Sequence, residues 1–387
     1  MRHTQFAKSL EKRTSISPLF AITQTFLPRI QRHIPMQKII PKKIRQAIIG
    51  ALTFSTLTGC VVSVSHGDNA PAGDELSIAR AVAALAPDAA RYSTQSFEWR
   101  DETRNRAVPA RLYLPTSQDS GAHSLRLVIF SHGIGGSRDG YKYLGRYFAA
   151  NGYASLHLQH IGSDRGLWFG NPFSLLGRLN SAAAETEAID RVHDLRFALD
   201  RILDSELGAT IDRRRIIAAG HSYGANTTML AAGAVVEQNG QNISLRDERI
   251  TAAILLSAPP FYGSSDPARI LAGIAIPTLH ITATGDDIQI PGFYSGVTDR
   301  IAVYRAIDGE RRAPKTLAVF KDGSHSIFTD RAGTGGVEWN PKVKAATRDL
   351  AIAFLNSVFD DDKSAMGRWQ ETNAPMLAKF EQRLAKQ

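Results

Sequence analysis

The chain has 387 residues, of which 43% are hydrophobic and 21% are charged, a composition typical of a globular protein. This composition excludes a collagen, a coiled coil and a wholly disordered chain. The formal net charge of +9 comes from the first 59 residues, which hold ten Lys or Arg and one Glu. The remaining 328 residues hold 36 basic and 36 acidic side chains, so their charge gives no reason to expect binding to nucleic acid.

A leader is predicted over residues 1–59. From Met36 the chain has a basic segment, and an apolar run from about Ala47 to Leu57 follows it, which is the layout of a secretory signal peptide. The run is too short to span a bilayer. Residues 1–35 add no recognisable module, which favours Met36 as the true start of the protein.

The only cysteine, Cys60, ends this signal. Together with Leu57-Thr58-Gly59 it resembles the cleavage box of bacterial lipoproteins, in which the cysteine is lipidated and becomes the first mature residue. The resemblance implies export and a lipid anchor at a membrane surface. Val61 in the next position favours the outer membrane, on the periplasmic side, if the source is Gram-negative. A buried helix with an incidental thiol is the alternative interpretation.

A tether and a single folded domain are predicted after the leader. Residues 60–92 are rich in Ala, Gly, Ser, Pro and Asp, with a short helix around Glu75 to Leu85. The domain covers residues 93–387. It begins with two predicted strands, Ser93 to Trp99 and Val108 to Leu114, which a charged turn joins into an antiparallel hairpin at a sheet edge.

Six further runs predict buried parallel strands, because they are mostly apolar and lack the strict alternation of a half-exposed strand. Helix-length segments separate them, and this alternation predicts a doubly wound α/β domain with a mostly parallel central sheet flanked by helices. Functional sites in such sheets lie at the carboxyl ends of the strands. The runs are Leu125 to Phe130, Tyr153 to Leu158, Ile216 to Ala219, Thr251 to Leu256, Thr278 to Thr282 and Thr316 to Phe320.

Three of the segments between and after the strands have helical patterns. Ala182 to Leu203 is predicted as a crossover helix with one apolar face, and Glu187 and Arg191 are expected to pair on the opposite face. Lys342 to Phe359 and Met366 to Ala385 are predicted as amphipathic helices. The apolar positions of the crossover helix are Ile189, Val192, Leu195, Leu199 and Ile202.

Ser222 is the candidate nucleophile. It lies in Gly220-His221-Ser222-Tyr223-Gly224, a GxSxG motif between a predicted buried strand and a helix-compatible segment. Such a strand-to-helix turn holds a serine at the sheet edge, and the glycines avoid clashes where strand and helix nearly touch. The motif alone is weak, but its position in the predicted fold indicates acyl-transfer chemistry.

The hydroxyl of Ser222 needs a base, and the candidate is His325 in the polar loop after the last predicted strand. A carboxylate must then orient the imidazole and stabilise its charged form. Asp286 and Asp287 both follow the strand that ends near Thr282. Asp286 is favoured because it is the earlier loop position, and Asp287 remains the alternative.

The oxyanion that develops in acyl transfer needs preorganised N–H groups. One candidate is the backbone amide of Tyr223, immediately after the nucleophile. The second is expected in the glycine-rich loop 131–136, which follows the first central strand. This loop lacks the Lys-Ser/Thr ending of a phosphate-binding P-loop.

An apolar segment, Gly166 to Leu176, lies between a predicted strand end and the crossover helix. Its aromatic residues Trp168, Phe169 and Phe173 either line or cap an acyl site, or pack the loop onto the body, and the sequence favours neither. Further aromatic residues that follow strand ends are pocket candidates. They are Phe261, Tyr262, Phe293 and Tyr294.

A metal site formed by His157, His160 and Asp164 is a less favoured alternative. Residues three apart on a continuing strand point to opposite faces, and two histidines with one distant carboxylate lack ligand number. We therefore expect no metal and no other cofactor.

The chain resembles α/β-hydrolases of the group that contains plasma-type platelet-activating factor acetylhydrolases, bacterial predicted dienelactone hydrolases and PET-hydrolase-like polyesterases. Five stretches carry the resemblance, in order from about Leu127 to Phe328: LVIFSHGIGGSR, AANGYASLHLQH, AAGHSYGA, PTLHITATGDD and DGSHSIF. The true dienelactone hydrolases use a cysteine nucleophile where this chain has Ser222, so lactone opening is not implied.

This resemblance implies an α/β-hydrolase fold and a role for each matching residue. Ser222 would be the nucleophile, His325 the base and Asp286 the acid. The amides of Ile134 and Tyr223 would form the oxyanion hole.

Together these patterns predict a membrane-tethered serine esterase that cleaves carboxylic esters through an acyl-enzyme. Short-chain esters are the default substrate, because no charged recognition pocket can be placed. A phospholipase similar to the platelet-activating factor acetylhydrolases, or a polyester hydrolase, is the alternative that the apolar segment and lipid anchor would suit. A catalytically silent binding lipoprotein is the rival from another class. The expected partners are a small-molecule or lipid ester and the membrane surface, without nucleic acid or a protein partner.

Overall fold

A nine-stranded sheet organises the described part of the chain. The leader, Cys60 and the helix predicted around residues 75–85 lie outside the described residues. The computed structural model describes residues 87, 89–116, 124–238, 241–263, 266–290, 292–307, 312–331 and 336–385.

The strand order of the sheet is β1-β2-β4-β3-β5-β8-β9-β12-β13. The six strands from β4 to β12 in this order run parallel, as the apolar runs predict, and antiparallel strands close both ends. The strands of the sheet are β1 (Tyr92–Asp101), β2 (Arg106–Pro115), β3 (Leu125–Ser131), β4 (Tyr153–Leu158), β5 (Ile211–His221), β8 (Ala252–Leu256), β9 (Thr278–Gly285), β12 (Lys315–Ser324) and β13 (Leu377–Arg383). Two small hairpins lie outside it, formed by β6 (Val235–Gln238) with β7 (Gln241–Ser244) and by β10 (Ile288–Ile290) with β11 (Phe293–Ser295).

Helices pack on both faces of the sheet, each over its own apolar cluster. Branched and aromatic side chains that are buried on both faces explain why the parallel strands read as continuous apolar runs. The α/β fold class predicted from the sequence is therefore confirmed. The helices are α1 (Lys142–Ala150), α2 (Leu175–Ala182), α3 (Glu185–Leu203), α4 (Tyr223–Ala232), α5 (Pro267–Leu271), α6 (Val297–Ala306), α7 (Gly336–Phe359) and α8 (Ala365–Asn373). Among the described residues, no helix has the length and apolar character that crossing a membrane requires.

The chain order places a switch point beside β3. After β3 the chain crosses through α1 to β4 on one side, and after β4 it crosses through α3 to β5 on the other side. Crevices at the carboxyl ends of strands open at such a point. The glycine-rich loop after β3 and the turn around Ser222 after β5 both lie there.

The prediction of one helix from Met366 to Ala385 is wrong. Helix α8 stops at Asn373, two residues before Pro375, and the chain then forms β13. Pro375 has no N–H for the α-helical ladder, so the α-helix ends before it and Ala374–Met376 forms a single 3₁₀ turn. The freed segment pairs antiparallel with β12, where Leu377 and Phe380 face the apolar cluster of the sheet. Without β13, β12 would present an unpaired edge.

The crossover helix is α3, but the placement of Glu187 and Arg191 on its solvent face is wrong. Both side chains are buried, and they bind different partners. Glu187, Arg191 and Asp194 share one face of the helix, and Ala198 and Ile202 continue that face into the core. The expected pair is thus part of a buried polar layer between α3 and the sheet.

Five histidines are buried without charge. Burial lowers the pKa of His157 to about 4 and lowers the pKa values of His160, His221 and His280 to about 3. Burial, with nearby Arg191 as a second cause, also holds the pKa of His132 well below the usual value. The folded state therefore resists protonation at five imidazoles.

Mild acid is expected to destabilise the fold. Below the ordinary histidine pKa near 6.5 the unfolded state binds protons that the folded state does not, so stability falls as pH drops from 7 toward the folded values. At pH 5.5 each histidine costs about 1.4 kcal/mol, and five together cost several kcal/mol of a typical total of about 5–15 kcal/mol. Urea unfolding at pH 7.5, 6.5 and 5.5 measures this decline.

A matched variant tests the cause. His280 lies on β9 and is not a wall residue of the main cavity. His280→Asn removes one buried imidazole, so the chain should take up about one proton fewer when it unfolds in mild acid. Equal stability of the parent chain at pH 7.5 and 5.5 would contradict the explanation.

Candidate active site

Ser222 occupies a strained turn between β5 and α4. Its backbone has φ 55° and ψ −123°, a conformation that costs a non-glycine residue free energy and that surrounding contacts must impose. Close packing imposes it here: a Cβ atom on Gly224 would lie 1.9 Å from the Ser131 carbonyl oxygen, and one on Gly220 would lie 2.2 Å from the Gly224 carbonyl oxygen. Only glycine fits at these two positions.

The side chains of Ser222, His325 and Asp286 form one hydrogen-bonded chain. His325 Nε2 lies 2.7 Å from Ser222 Oγ, and His325 Nδ1 lies 2.6 Å from Asp286 Oδ1. Because the carboxylate accepts the Nδ1 proton, the lone pair of Nε2 faces the serine hydroxyl. The other candidate acid, Asp287, lines the cavity instead.

Asp286 is fully buried and ionised. Burial by itself would raise its pKa, but His325, the Arg300 guanidinium and the Thr282 hydroxyl together hold the pKa of Asp286 far below the usual range. The Thr282 hydroxyl donates to Asp286 Oδ2 at 2.6 Å, and Arg300 lies 3.5 Å from Oδ1. Sequence reasoning missed both Thr282 and Arg300, since neither belongs to a motif.

The two amides predicted for the oxyanion hole line the same cavity as Ser222. In the glycine-rich loop, the Gly135 amide donates to Ser163, the Gly136 amide donates within the loop, and the Gly133 amide faces the Tyr141 hydroxyl at 3.4 Å. Within the described residues, no hydrogen bond of the fold uses the amide of Ile134 or of Tyr223. Both N–H groups are therefore available near Ser222.

His221 supports the loop that carries His325. Its Nε2 lies 2.9 Å from the His325 carbonyl oxygen and donates to it, so its Nδ1 accepts from the Tyr141 hydroxyl at 2.8 Å. Burial, with His325 as a second cause, lowers the pKa of His221 to about 3, so this tautomer stays neutral. These contacts give His221 a structural role.

Arg191 joins the two backbone segments that carry the available amides. It is fully buried, and its guanidinium donates to the His132 carbonyl oxygen, to Ser163 Oγ at 2.7 Å and to Thr227 Oγ1 at 2.8 Å. The guanidinium carbon also lies 4.6 Å from the centre of the Tyr223 ring. Arg191 thus contacts the loop after β3 and the first turn of α4 at the same time.

A cluster of buried charges continues from Arg191 to the first hairpin. Arg104 and Arg106 donate to Asp194 at 2.8 and 2.9 Å, and Arg106 also binds Glu187 at 3.1 Å. The opposite oxygen of Asp194 accepts from His160 at 3.0 Å. Burial by itself would raise the pKa of Asp194, but His160 and Arg106 lower it to about 2.

The structure does not arrange the residues of the alternative metal site around one point. His160 is held between Asp194 and Ser131, and His157 lies beside Ser155 and Gly140. Their ring nitrogens therefore serve separate hydrogen bonds. No group of three or more His, Cys, Asp or Glu within the described ranges is arranged to hold a metal ion.

A cavity of about 950 Å³ opens above Ser222 and His325. Phe261, Tyr262 and Phe293 line it, as the sequence suggests for strand-end aromatic residues, whereas Tyr294 is exposed and is not a wall residue.

Of the three aromatic residues in the 166–176 segment, Trp168 takes one of the two expected roles, and Phe169 and Phe173 take neither. Trp168 packs against Gly135, and its indole N–H donates to the Gly135 carbonyl oxygen at 2.9 Å. Phe169 and Phe173 are 72% and 96% exposed, and neither lines the main cavity. Trp168 therefore buttresses the glycine-rich loop from outside, while the two phenylalanines face solvent.

Comparison with known proteins gives no match to any family model and no match to any curated protein. The chemistry of the site therefore has to be argued from its own geometry.

Replacement of Arg191 by Met should strongly destabilise the fold. The change leaves the His132 carbonyl and two hydroxyl groups buried without their donor, and each such group costs about 1–3 kcal/mol. We expect a loss of about 3 kcal/mol or more in the free energy of unfolding, measured with urea.

Arg196→Met is the matched control on the same helix. Arg196 is only partly buried, so its loss should cost about 1 kcal/mol or less. Similar losses for the two variants would contradict the role assigned to Arg191.

Proposed function

We propose that the protein is a serine hydrolase that cleaves carboxylic esters through an acyl-enzyme intermediate. The observation that carries the proposal is the continuous hydrogen-bonded order Ser222, His325, Asp286, with the lone pair of the imidazole facing the serine. The α/β fold and the resemblance of five sequence stretches support placing the chain among the α/β-hydrolases. A silent binding protein would not need this order, nor the strained backbone of Ser222.

The reaction follows from the positions of the three side chains. Ser222 Oγ attacks the ester carbonyl while His325 Nε2 removes its proton, and the imidazolium is stabilised by Asp286 through the Nδ1 hydrogen bond. The imidazolium then returns the proton to the departing alcohol. Water repeats the sequence on the acyl-enzyme with His325 again as base, which releases the acid and restores Ser222.

The amides of Ile134 and Tyr223 would stabilise the oxyanion. Both are unused by the fold in the described region and line the cavity at Ser222. Tyr223 is also the first residue of α4, so the positive end of the helix dipole adds to its effect. One such donor is typically worth about 10²–10³-fold in rate.

Attachment to a membrane is part of the proposal. The signal-like leader and Cys60 support an exported lipoprotein. Its acylated first mature residue would tether the catalytic domain to the membrane. Mass spectrometry of the mature N-terminus, and release of the lipid on hydrolysis, would test this part separately from catalysis.

Ser222→Ala should abolish ester hydrolysis. We expect the full-length chain to hydrolyse p-nitrophenyl esters and the variant to lose about 10⁴–10⁶-fold in kcat, because the alanine side chain cannot form the acyl-enzyme. A fluorophosphonate probe should label Ser222 even where the natural substrate is unknown. The serine oxygen bonds to the phosphorus of the probe and displaces fluoride.

Ser257→Ala is the matched control for Ser222→Ala. Ser257 follows the next strand, is buried with φ 50°, and its hydroxyl finds no partner among the described residues. Its removal should leave hydrolysis near the parent rate. Labelling that persists in Ser222→Ala, or a folded parent chain that neither hydrolyses esters nor reacts with the probe, would leave the binding protein as the better explanation.

Asp286→Asn should lower kcat by about 10³–10⁴-fold, because an amide cannot fix the required tautomer or stabilise the imidazolium. Asp287→Asn makes the same chemical change one residue away, at a side chain that faces the cavity rather than His325. We expect it to cost less than about tenfold. The reverse order of the two losses, measured as kcat on one ester, would assign the acid to Asp287.

A further inference from the structure

The cavity extends from Ser222 along one face of helix α4. Ser222, Asn226 and Leu230 all line it, and they are separated by four residues each, about one helical turn. A helix rises 1.5 Å per residue, so this row covers about 12 Å beyond the nucleophile. The cavity is therefore deep in one direction rather than a shallow depression over the serine.

The walls of this deep part are apolar. They come from α4 itself and from four segments that surround it, and we call the region the apolar arm. Its wall residues are Ile189, Leu230, Val235, Val236, Phe261 and Ile270.

Charge lies only at the rim of the arm among the described wall residues. Glu185, Glu237, Asp266 and Arg269 border the cavity there, and all four are exposed. The Glu237 and Arg269 side chains pair at 3.0 Å and are each more than half exposed. Inside the arm the polar side chain is Asn226, whose amide donates to the Pro259 carbonyl oxygen at 3.1 Å. The inside of the arm therefore offers no site for a charged group. An apolar chain could displace water from the arm without depriving a polar wall group of a hydrogen bond that it needs.

The length of the arm sets the length of its ligand. An extended peptide advances about 3.6 Å over three backbone bonds, or about 1.2 Å per bond, so about 12 Å corresponds to about ten bonds of an extended hydrocarbon chain. Each methylene that leaves water for the arm should raise kcat/KM by about twofold to fourfold. A short acyl group such as acetate would leave most of the arm without contacts.

Given the ester hydrolysis proposed above, we propose that the apolar arm binds the unbranched apolar chain of the substrate, which makes the preferred substrates esters with chains of about six to ten carbons. This differs from the short-chain default of the sequence analysis, which rested on the lack of a recognisable charged pocket. The hairpin β6–β7, which supplies Val235 and Val236, is inserted between α4 and β8 and was not predicted. No sequence motif therefore indicated the wall that sets the chain length.

The test is a chain-length series with the full-length protein. p-Nitrophenyl esters from acetate to decanoate vary the acyl part, and n-alkyl acetates vary the alcohol part. We expect kcat/KM to rise by about 60-fold to 4,000-fold in at least one series, over the six methylenes that separate acetate from octanoate or over six methylenes added to the alcohol. A rise in the first series assigns the arm to the acyl part, and a rise only in the second assigns it to the alcohol. A maximum at the shortest member of both series would overturn the proposal.

Val236→Trp fills the arm with an indole and should lower the octanoate-to-acetate ratio of kcat/KM at least tenfold. Gln241→Trp places the same side chain at an exposed position of the same hairpin, where it should leave the ratio and the acetate rate unchanged. Ile189→Phe narrows the arm from the opposite wall and serves if Val236→Trp does not fold, as judged by circular dichroism. General damage to the enzyme lowers both esters together, so only a change in the ratio counts.

The two proposals fail in different ways. A folded parent chain without turnover of any ester removes the hydrolase proposal. Turnover that depends on Ser222, with a long-chain to short-chain ratio of kcat/KM that is the same in the parent chain and in both arm variants in the acyl series and in the alcohol series, removes the apolar arm alone.

Discussion

The turn at Ser222 is the constraint on which the rest of the site depends. Its positive φ points the side chain out of the sheet, and the fold tolerates that conformation because strand, helix and the loop after β3 approach without side chains between them. A Cβ atom on Gly133 would lie 3.2 Å from the Cβ of Ser222, so the third glycine lets the loop after β3 pass directly beside the serine. The same close approach brings the Ile134 amide and the Tyr223 amide to one cavity.

Such close backbone packing needs an internal support, and buried Arg191 supplies it. A guanidinium in the core is costly, and burial lowers the pKa of Arg191 to about 10 even beside Tyr223, Glu187 and Asp194. The cost is tolerable because its guanidinium supplies a donor to one buried carbonyl oxygen and to two buried hydroxyl oxygens. The adjoining charges of Arg106, Glu187 and Asp194 link this support to the first hairpin. We infer that the antiparallel edge of the sheet helps to fix the glycine-rich loop.

The sequence predicted the parallel strands, and it singled out Ser222, Asp286 and His325, which the structure brings within hydrogen-bond distance, because both depend on local patterns. Buried strands have sequences that are continuous apolar runs. Ser222 lies in a motif whose glycines are needed because strand and helix pack closely beside it. The failures had both local and non-local causes. Glu187 and Arg191 were placed toward solvent because of their charge, although the spacing of 187, 191, 194, 198 and 202 continues the buried face of α3. Arg300 reaches Asp286 only after the sheet forms, and no spacing indicates that contact. The C-terminal strand did have a local signal in Pro375, which the helical pattern outweighed.

The electrostatics around Asp286 impose a compromise on the proposed reaction. A buried carboxylate without other partners would stabilise an imidazolium most strongly. Beside a neutral His325, however, that carboxylate would tend to take up a proton. Arg300 and Thr282 keep the carboxylate ionised while His325 is neutral, which preserves the tautomer that leaves Nε2 free to act as a base. The same Arg300 charge opposes the positive charge that His325 acquires, although at 3.5 Å from Asp286 it is a weaker partner than His325 at 2.6 Å. In the proposed reaction this geometry therefore favours an imidazole that is ready to act as a base in the resting site, at the expense of some stabilisation of the imidazolium.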